Sequence, residues 1–171
     1  MIDFNLITRS FTELKKRRIK LITAESLTGG LILAEFTKIP GSSEVVWGGF
    51  ITYSPQAKIK LVGVNPEIIE KYGVVSKETA EEMALGALNS FLGKNPNIPQ
   101  AIAIAVTGVA GPDSLEGKPV GTVFMGIADS LKRNIECKTV EFHFSSDRNR
   151  IREKTVESAA KELFALIRAA R

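Results

Sequence analysis

Cysteine and histidine are nearly absent from this chain, which has one of each, Cys137 and His143, among 171 residues. A lone cysteine excludes an internal disulfide and a cysteine-only metal cluster. One histidine would leave a zinc site leaning on carboxylates, so neither a metal nor another cofactor is expected. The same scarcity removes hydrolases built on a Cys/His pair or a histidine triad. A serine nucleophile with a lysine base remains. Aromatic residues make up only 7%, and the net charge of +4 comes from lysines and arginines spread along the chain. That is a weak footprint for nucleic acid, which is not expected as a partner. No apolar run approaches the roughly 18 residues needed to span a bilayer. The start, MIDFNLITRSFTELKKRR, lacks a long apolar core behind a basic segment. The reading is therefore no membrane and a cytoplasmic location.

What the chain does have is enough apolar material, 44% of 171 residues, for one substantial core, and too little length for two ordinary ones. A single domain over 1–171 is expected. Leu6 to Arg18 carries apolar residues at helical spacing, with Lys15 to Arg18 where the helix dipole favours cations. Ile19 to Ala24 reads as a buried strand. It runs into the polar, glycine-containing turn Glu25 to Gly30 and a helix to Thr37. Strand, turn and helix in that order can expose backbone N–H groups to an anion, which makes Ser26, Thr28 and Gly29 candidate substrate contacts. Glycines at such turns also serve only to relieve crowding.

Val45 to Thr52 reads as a strand, Ser54 as the N-cap of the next helix with Pro55 at its first position, and Asn65-Pro66 as the start of another turn of helix. Ser76 caps a helix to Phe91, and Gly93 to Asn97 closes it as a loop. Ala101 to Val106 has the small, apolar composition of a strand buried on both faces. It ends in Thr107-Gly108-Val109-Ala110-Gly111-Pro112-Asp113, a natural wall of a pocket beyond a strand's carboxyl end. Two strands, to Ala128 and from Ile135 to Phe144, form an antiparallel pair. His143 alternates with Phe142 and Phe144 there and reads as a surface residue. A helix from Ser146, taken as its N-cap, to Ala169 closes the chain. Arg148 and Arg152 share a face of its first turns, where phosphate would relieve the clash of cations with the helix dipole; pairing with Glu153 or Glu157 would do the same.

The stretch Ser42 to Lys58 holds the chemistry. It orders a hydroxyl after the Pro40-Gly41 turn, a strand, the phenol of Tyr53, and Lys58 near the fourth residue of a helix. The positive end of the helix dipole and burial would both favour the neutral amine that a general base requires. As pattern alone, Ser42 and Ser43 also fit as turn residues, and Lys58 and Lys60 as solvated lysines.

These pieces together resemble one family, the CinA C-terminal domain, also known as the nicotinamide-nucleotide amidase family. The matching motifs are AESLTGG (24–30), PGSS (40–43), GFITYS-x-x-AK (49–58), GVVS (73–76), TGVAGPD (107–113), KPVGTV (118–123) and SSDR-x-x-IR (145–152). The resemblance implies an α/β fold: a single three-layer domain, a mixed sheet with helices on both faces, forming a homodimer. It implies hydrolysis of the carboxamide of nicotinamide mononucleotide to nicotinate mononucleotide and ammonia. In that scheme Ser43 is the nucleophile, Lys58 its base and Tyr53 the assisting hydroxyl, while Thr107, with Gly108 beside it, and Arg148 orient a phosphorylated pyridine nucleotide and Arg152 seconds Arg148. The family often has cysteine where Leu27 stands and glycine where Ser146 stands. A different class of reading keeps the fold as a non-catalytic module that binds a nucleotide or a protein; binding without ammonia release would distinguish it.

Overall fold

The computed structural model describes residues 2–93 and 100–170, so the loop expected from Gly93 to Asn97 lies outside the described residues from 94 onward. In chain order the elements are α1 (Phe4–Arg17), β1 (Lys20–Glu25), α2 (Leu31–Thr37), a 3-10 turn (Ser42–Glu44) and β2 (Val46–Ile51). Then come α3 (Pro55–Val62), α4 (Pro66–Tyr72), α5 (Lys77–Leu92), β3 (Ala101–Gly108), β4 (Thr122–Asp129), β5 (Glu136–His143) and α6 (Arg148–Ala169). The five strands form one mixed sheet in the order β2-β1-β3-β4-β5. β1 runs parallel to β2 and β3, whereas β4 runs antiparallel to both of its neighbours, β3 and β5.

The alternation A-I-A-I-A-V in β3 decides what lies on each face of the sheet. Ile102, Ile104 and Val106 pack with Leu21, Met125 and Ile127 against Ile7, Phe11 and Leu14 of α1, Phe36 of α2, and Ile151, Leu163 and Ile167 of α6. Ala101, Ala103 and Ala105 face Met83, Ala84, Ala87 and Leu88 of α5. Small residues on both sides let α5 sit close to the sheet. At Gly126 of β4 a Cβ would run into the carbonyl of Ala80, so glycine is what permits the approach. Truncating one of the large residues in the first layer, such as Ile104→Ala, is worth about 2–5 kcal/mol of stability. α3 and α4 pack against α5, completing the third layer. Among the described residues no helix is long and apolar enough to cross a membrane.

Capping chemistry sets the helix starts. Ser54, Asn65 and Ser76 each accept a backbone N–H from the first turn of the helix they precede, and Pro55 and Pro66 open theirs. At the last helix the cap differs from expectation. Asp147, not Ser146, accepts the Arg150 N–H at 3.0 Å, so the cap falls one residue later and Ser146 is an exposed bend. A carboxylate at the positive end of a long helix is the stronger acceptor of the two.

Candidate functional site

Parallel strands β1 and β2 end on the same side of the sheet, and the carboxyl ends of β1 and β3 are side by side, with Glu25 registered against Val106. Beyond those ends lies a cavity of about 330 Å³, a volume within the range of small-molecule pockets. Its lining includes Ser26 after β1, Tyr53 after β2, Lys58 from α3, Thr107 and Gly108 closing β3, and Arg148 opening α6. Val74, Val75 and the segment Val109 to Leu115 supply much of the remaining wall.

Ser26 is buried, and its backbone N–H donates to the Val106 carbonyl at 3.0 Å, which fixes the turn to β3. Lys58 is 2% exposed. Its Nζ donates to Ser26 Oγ at 3.1 Å and to the Thr52 carbonyl at 2.7 Å. The amine sits one turn into α3, whose start is fixed by Pro55 and by Ser54 accepting the Ala57 N–H at 3.1 Å. Loss of hydration pushes the Lys58 pKa down from its ordinary 10.5 to about 8, and the Glu116 carboxylate opposes part of that fall. The neutral amine is therefore well populated slightly above neutral pH, beside a hydroxyl within hydrogen-bond reach. That is the arrangement an activated serine needs.

Ser43, the expected nucleophile, is not part of this arrangement. It lies in the 3-10 turn before β2, exposed, with its carbonyl accepting from Lys20 Nζ at 3.2 Å. Lys20 begins β1, so Ser43 belongs to the amino ends of the parallel strands. A six-residue strand puts roughly 20 Å between its ends. The hydroxyl that meets Lys58 belongs to Ser26, which the sequence suggests only as a substrate contact.

The turn after β1 is also organised differently from expectation. The backbone N–H groups of Gly30 and Ile32 donate to Glu25 Oε2, both at 3.0 Å, and that of Leu33 donates to Oε1 at 3.0 Å. The amino end of α2 is thus occupied by the chain's own buried carboxylate, and phosphate has no place there. Thr28 and Gly29 do not line the cavity. Thr28 is fully buried, and its carbonyl accepts from Arg152 Nη2 at 2.9 Å. Arg152 also donates from Nε to the Leu27 carbonyl at 3.0 Å. Thr28, Gly29 and Arg152, expected as substrate contacts, thus belong in this structure to the turn that carries Ser26. Leu27 packs its side chain into the core beside them.

The three arginines that begin α6 therefore part company. Arg150 pairs with Glu153 at 2.7 Å and Glu157 at 3.3 Å, Arg152 braces the Ser26 turn, and Arg148 alone of the three lines the cavity. Arg148 Nη1 donates to the Gly111 carbonyl at 2.6 Å, and its Nη2 donates to the Tyr53 hydroxyl at 2.9 Å. Tyr53 is 61% exposed, so its phenol stands at the rim with Arg148. The hydrogen bonds of the Lys58 amine go instead to Ser26 and Thr52. Thr107 donates its hydroxyl to the Val74 carbonyl at 2.7 Å and so ties the end of β3 to the opposite wall. His143 is exposed, beside Glu141.

Two residues of the neighbourhood escaped the sequence reading. Glu25 could have been suspected, because an acidic residue at a strand's end directly before a helix-opening turn can fold back to cap it. Glu116 carries no sequence signal beyond a Glu-Gly turn.

A mixed α/β sheet with a lysine-paired serine beyond the carboxyl ends of its parallel strands is the class these observations define. The chain belongs to the CinA C-terminal domain family, whose model matches residues 4–167. Among curated relatives, a CinA-like protein of Solibacter usitatus is 43% identical over 147 residues, covering 85% of this chain and 33% of that protein. This chain thus spans about a third of the length of the curated relatives it matches. The crystal structure of the competence/damage inducible protein CihA from Agrobacterium tumefaciens superposes with a TM-score of 0.83 at 38% identity, covering 95% of this chain and 94% of that one. A CinA superfamily protein from Klebsiella pneumoniae gives 0.82 at 29% identity, covering 97% and 98%.

Proposed function

We propose that this protein is an amidase that hydrolyses the carboxamide of nicotinamide mononucleotide, with Ser26 as nucleophile and Lys58 as its base. The single observation that carries the reading is the 3.1 Å contact between a buried amine of lowered pKa and a buried hydroxyl on the cavity wall. In the neutral amine one N–H serves the Thr52 carbonyl and the lone pair takes the Ser26 proton. The Ser26 oxygen attacks the carboxamide carbon and a tetrahedral adduct forms. The C–N bond then breaks as the Lys58 ammonium returns the proton to the departing nitrogen, and ammonia leaves. Water, deprotonated by Lys58 in turn, cleaves the acyl-serine ester and releases nicotinate mononucleotide.

Arg148 supplies the charge for the phosphate end of the substrate. Its guanidinium has five N–H donors, and the contacts to Gly111 and Tyr53 leave others for phosphate oxygens. Holding that end places the amide over Ser26 in attack geometry. Tyr53, bonded to Arg148, belongs to this orienting group. The same reading puts the protein in the cytoplasm as a homodimer. It is tested by incubating the purified protein with nicotinamide mononucleotide and following ammonia. Binding of the nucleotide without ammonia release would support the non-catalytic alternative.

A further inference from the structure

Gly111 to Leu115, which line the cavity, belong to a strap, Gly111 to Lys118, that is tied down at both ends. At one end the Gly111 carbonyl accepts from Arg148. At the other, Leu115 and Lys118 exchange two backbone hydrogen bonds, of 3.1 and 2.9 Å, across a tight turn whose central residues are Glu116 and Gly117. Both have positive φ, 51° and 74°. Gly117 takes that conformation without penalty, whereas a glutamate there is disfavoured and needs a compensating interaction.

The compensation comes from the glutamate side chain. The Glu116 carboxylate reaches back about forty residues to the link between α4 and α5, accepting the Val74 N–H on Oε1 at 3.1 Å and the Val75 N–H on Oε2 at 3.3 Å. Room for it exists because residue 73 is glycine with φ of 87°; a Cβ there would land on the carboxylate. Val74 is in turn the acceptor for the Thr107 hydroxyl, so the latch, the link and the end of β3 form one connected wall. Val74, Val75, Leu115 and Lys58 all line the same cavity.

We infer that Glu116 is a positioning residue of the site: it latches the Gly111–Lys118 strap onto Gly73–Val75 and presents the negative charge that stabilises the Lys58 ammonium formed when the serine proton is taken. This rests on the amidase reading only for its consequence in turnover. The other charged groups around the cavity are Asp113 on the strap itself and Arg148 at the start of α6. Of the carboxylates on neighbouring elements, Glu25 is engaged by the amino end of α2 and Glu82 of α5 by the Asn65 N–H at 2.6 Å, while Glu78 and Glu81 of α5 and Glu67 and Glu70 of α4 do not line the cavity. Glu116 is also the carboxylate that holds the Lys58 pKa up against burial.

The decisive measurement is the titration of Lys58 by NMR of its side-chain carbon in the full chain, the resonance being assigned by its absence in Lys58→Arg. In Glu116→Gln the midpoint moves to lower pH than in the wild type, and the acid limb of kcat/KM for nicotinamide mononucleotide moves with it. Glu116→Gly suits the positive φ and protects the fold while removing both charge and latch. It shows the same downward shift, with KM raised roughly fivefold by the loosened wall. An unchanged or raised Lys58 midpoint in either variant overturns the inference. A wild-type protein that releases no ammonia overturns the amidase reading instead, and the titration still decides the role of Glu116.

Discussion

Lys58 Nζ lies 3.1 Å from Ser26 Oγ although the two residues are 32 positions apart, one in the first turns of α3 and the other in the turn leaving β1. Parallel pairing of β1 with β2 brings them together, because both side chains project from the same end of the sheet. Burial of the amine then does the chemical work, since a lysine kept dry is a base at a pH where an ordinary lysine is an acid.

The activity should follow that amine. With the Lys58 pKa at about 8, kcat/KM rises as pH increases through about 8 and levels off above it, because only the neutral form accepts the serine proton. A pH–rate profile of ammonia release checks this. A flat profile from pH 6 to 9 would remove Lys58 as the base.

The same burial costs stability, with a definite sign. The folded-state pKa of Lys58 lies below its unfolded value, so below about pH 8 the folded chain forgoes a proton affinity that the unfolded chain has. The penalty is full at acidic and neutral pH and is relieved as pH rises from about 8 towards 10.5. It amounts to something on the order of 3 kcal/mol. Lys58→Met therefore raises Tm at pH 6 while abolishing turnover, and the gain shrinks by pH 10. Thermal unfolding of both proteins across that range checks the trend.

Much of the fold could be read from the sequence, because its signals are local. Serine and asparagine before proline or a helical run mark helix starts, and the alternation in β3 marks a strand buried on two faces; Ser54, Asn65, Ser76 and Ala101–Gly108 all behave so. Ser43 does not meet Lys58 because nearness in sequence is not nearness in space: the two residues flank one strand, and a strand separates what it flanks. The rule that ligands gather at carboxyl ends of parallel strands pointed to Ser26 and away from Ser43. Side-chain direction was beyond reach. Arg148 and Arg152 share a helix face, yet one meets the cavity and the other two carbonyls 124 and 125 residues earlier.

Glu25 makes a separate prediction about the scaffold. Its carboxylate satisfies three N–H groups at the start of α2 in a fully buried setting. Glu25→Gln turns an amide N–H₂ towards donors and leaves at least one unpaired, costing about 1–3 kcal/mol. Calorimetry should show Tm lowered by roughly 3–10 °C. An unchanged Tm would mean that the cap does not hold the turn.

Arg148 separates binding from chemistry. Lysine in its place keeps the charge but loses the planar fork that serves Gly111, Tyr53 and a phosphate together. Arg148→Lys is expected to raise KM for nicotinamide mononucleotide roughly tenfold while kcat falls much less. Steady-state kinetics on the nucleotide and on the phosphate-free nucleoside check it: the variant's penalty should disappear with the nucleoside.

The pairing of Ser26 with Lys58 is tested most directly by ammonia release from nicotinamide mononucleotide by three purified proteins: wild type, Ser26→Ala and Ser43→Ala. The account predicts turnover in the wild type, loss of it in Ser26→Ala, and wild-type turnover in Ser43→Ala. Undiminished release from Ser26→Ala, or its loss in Ser43→Ala alone, would contradict it.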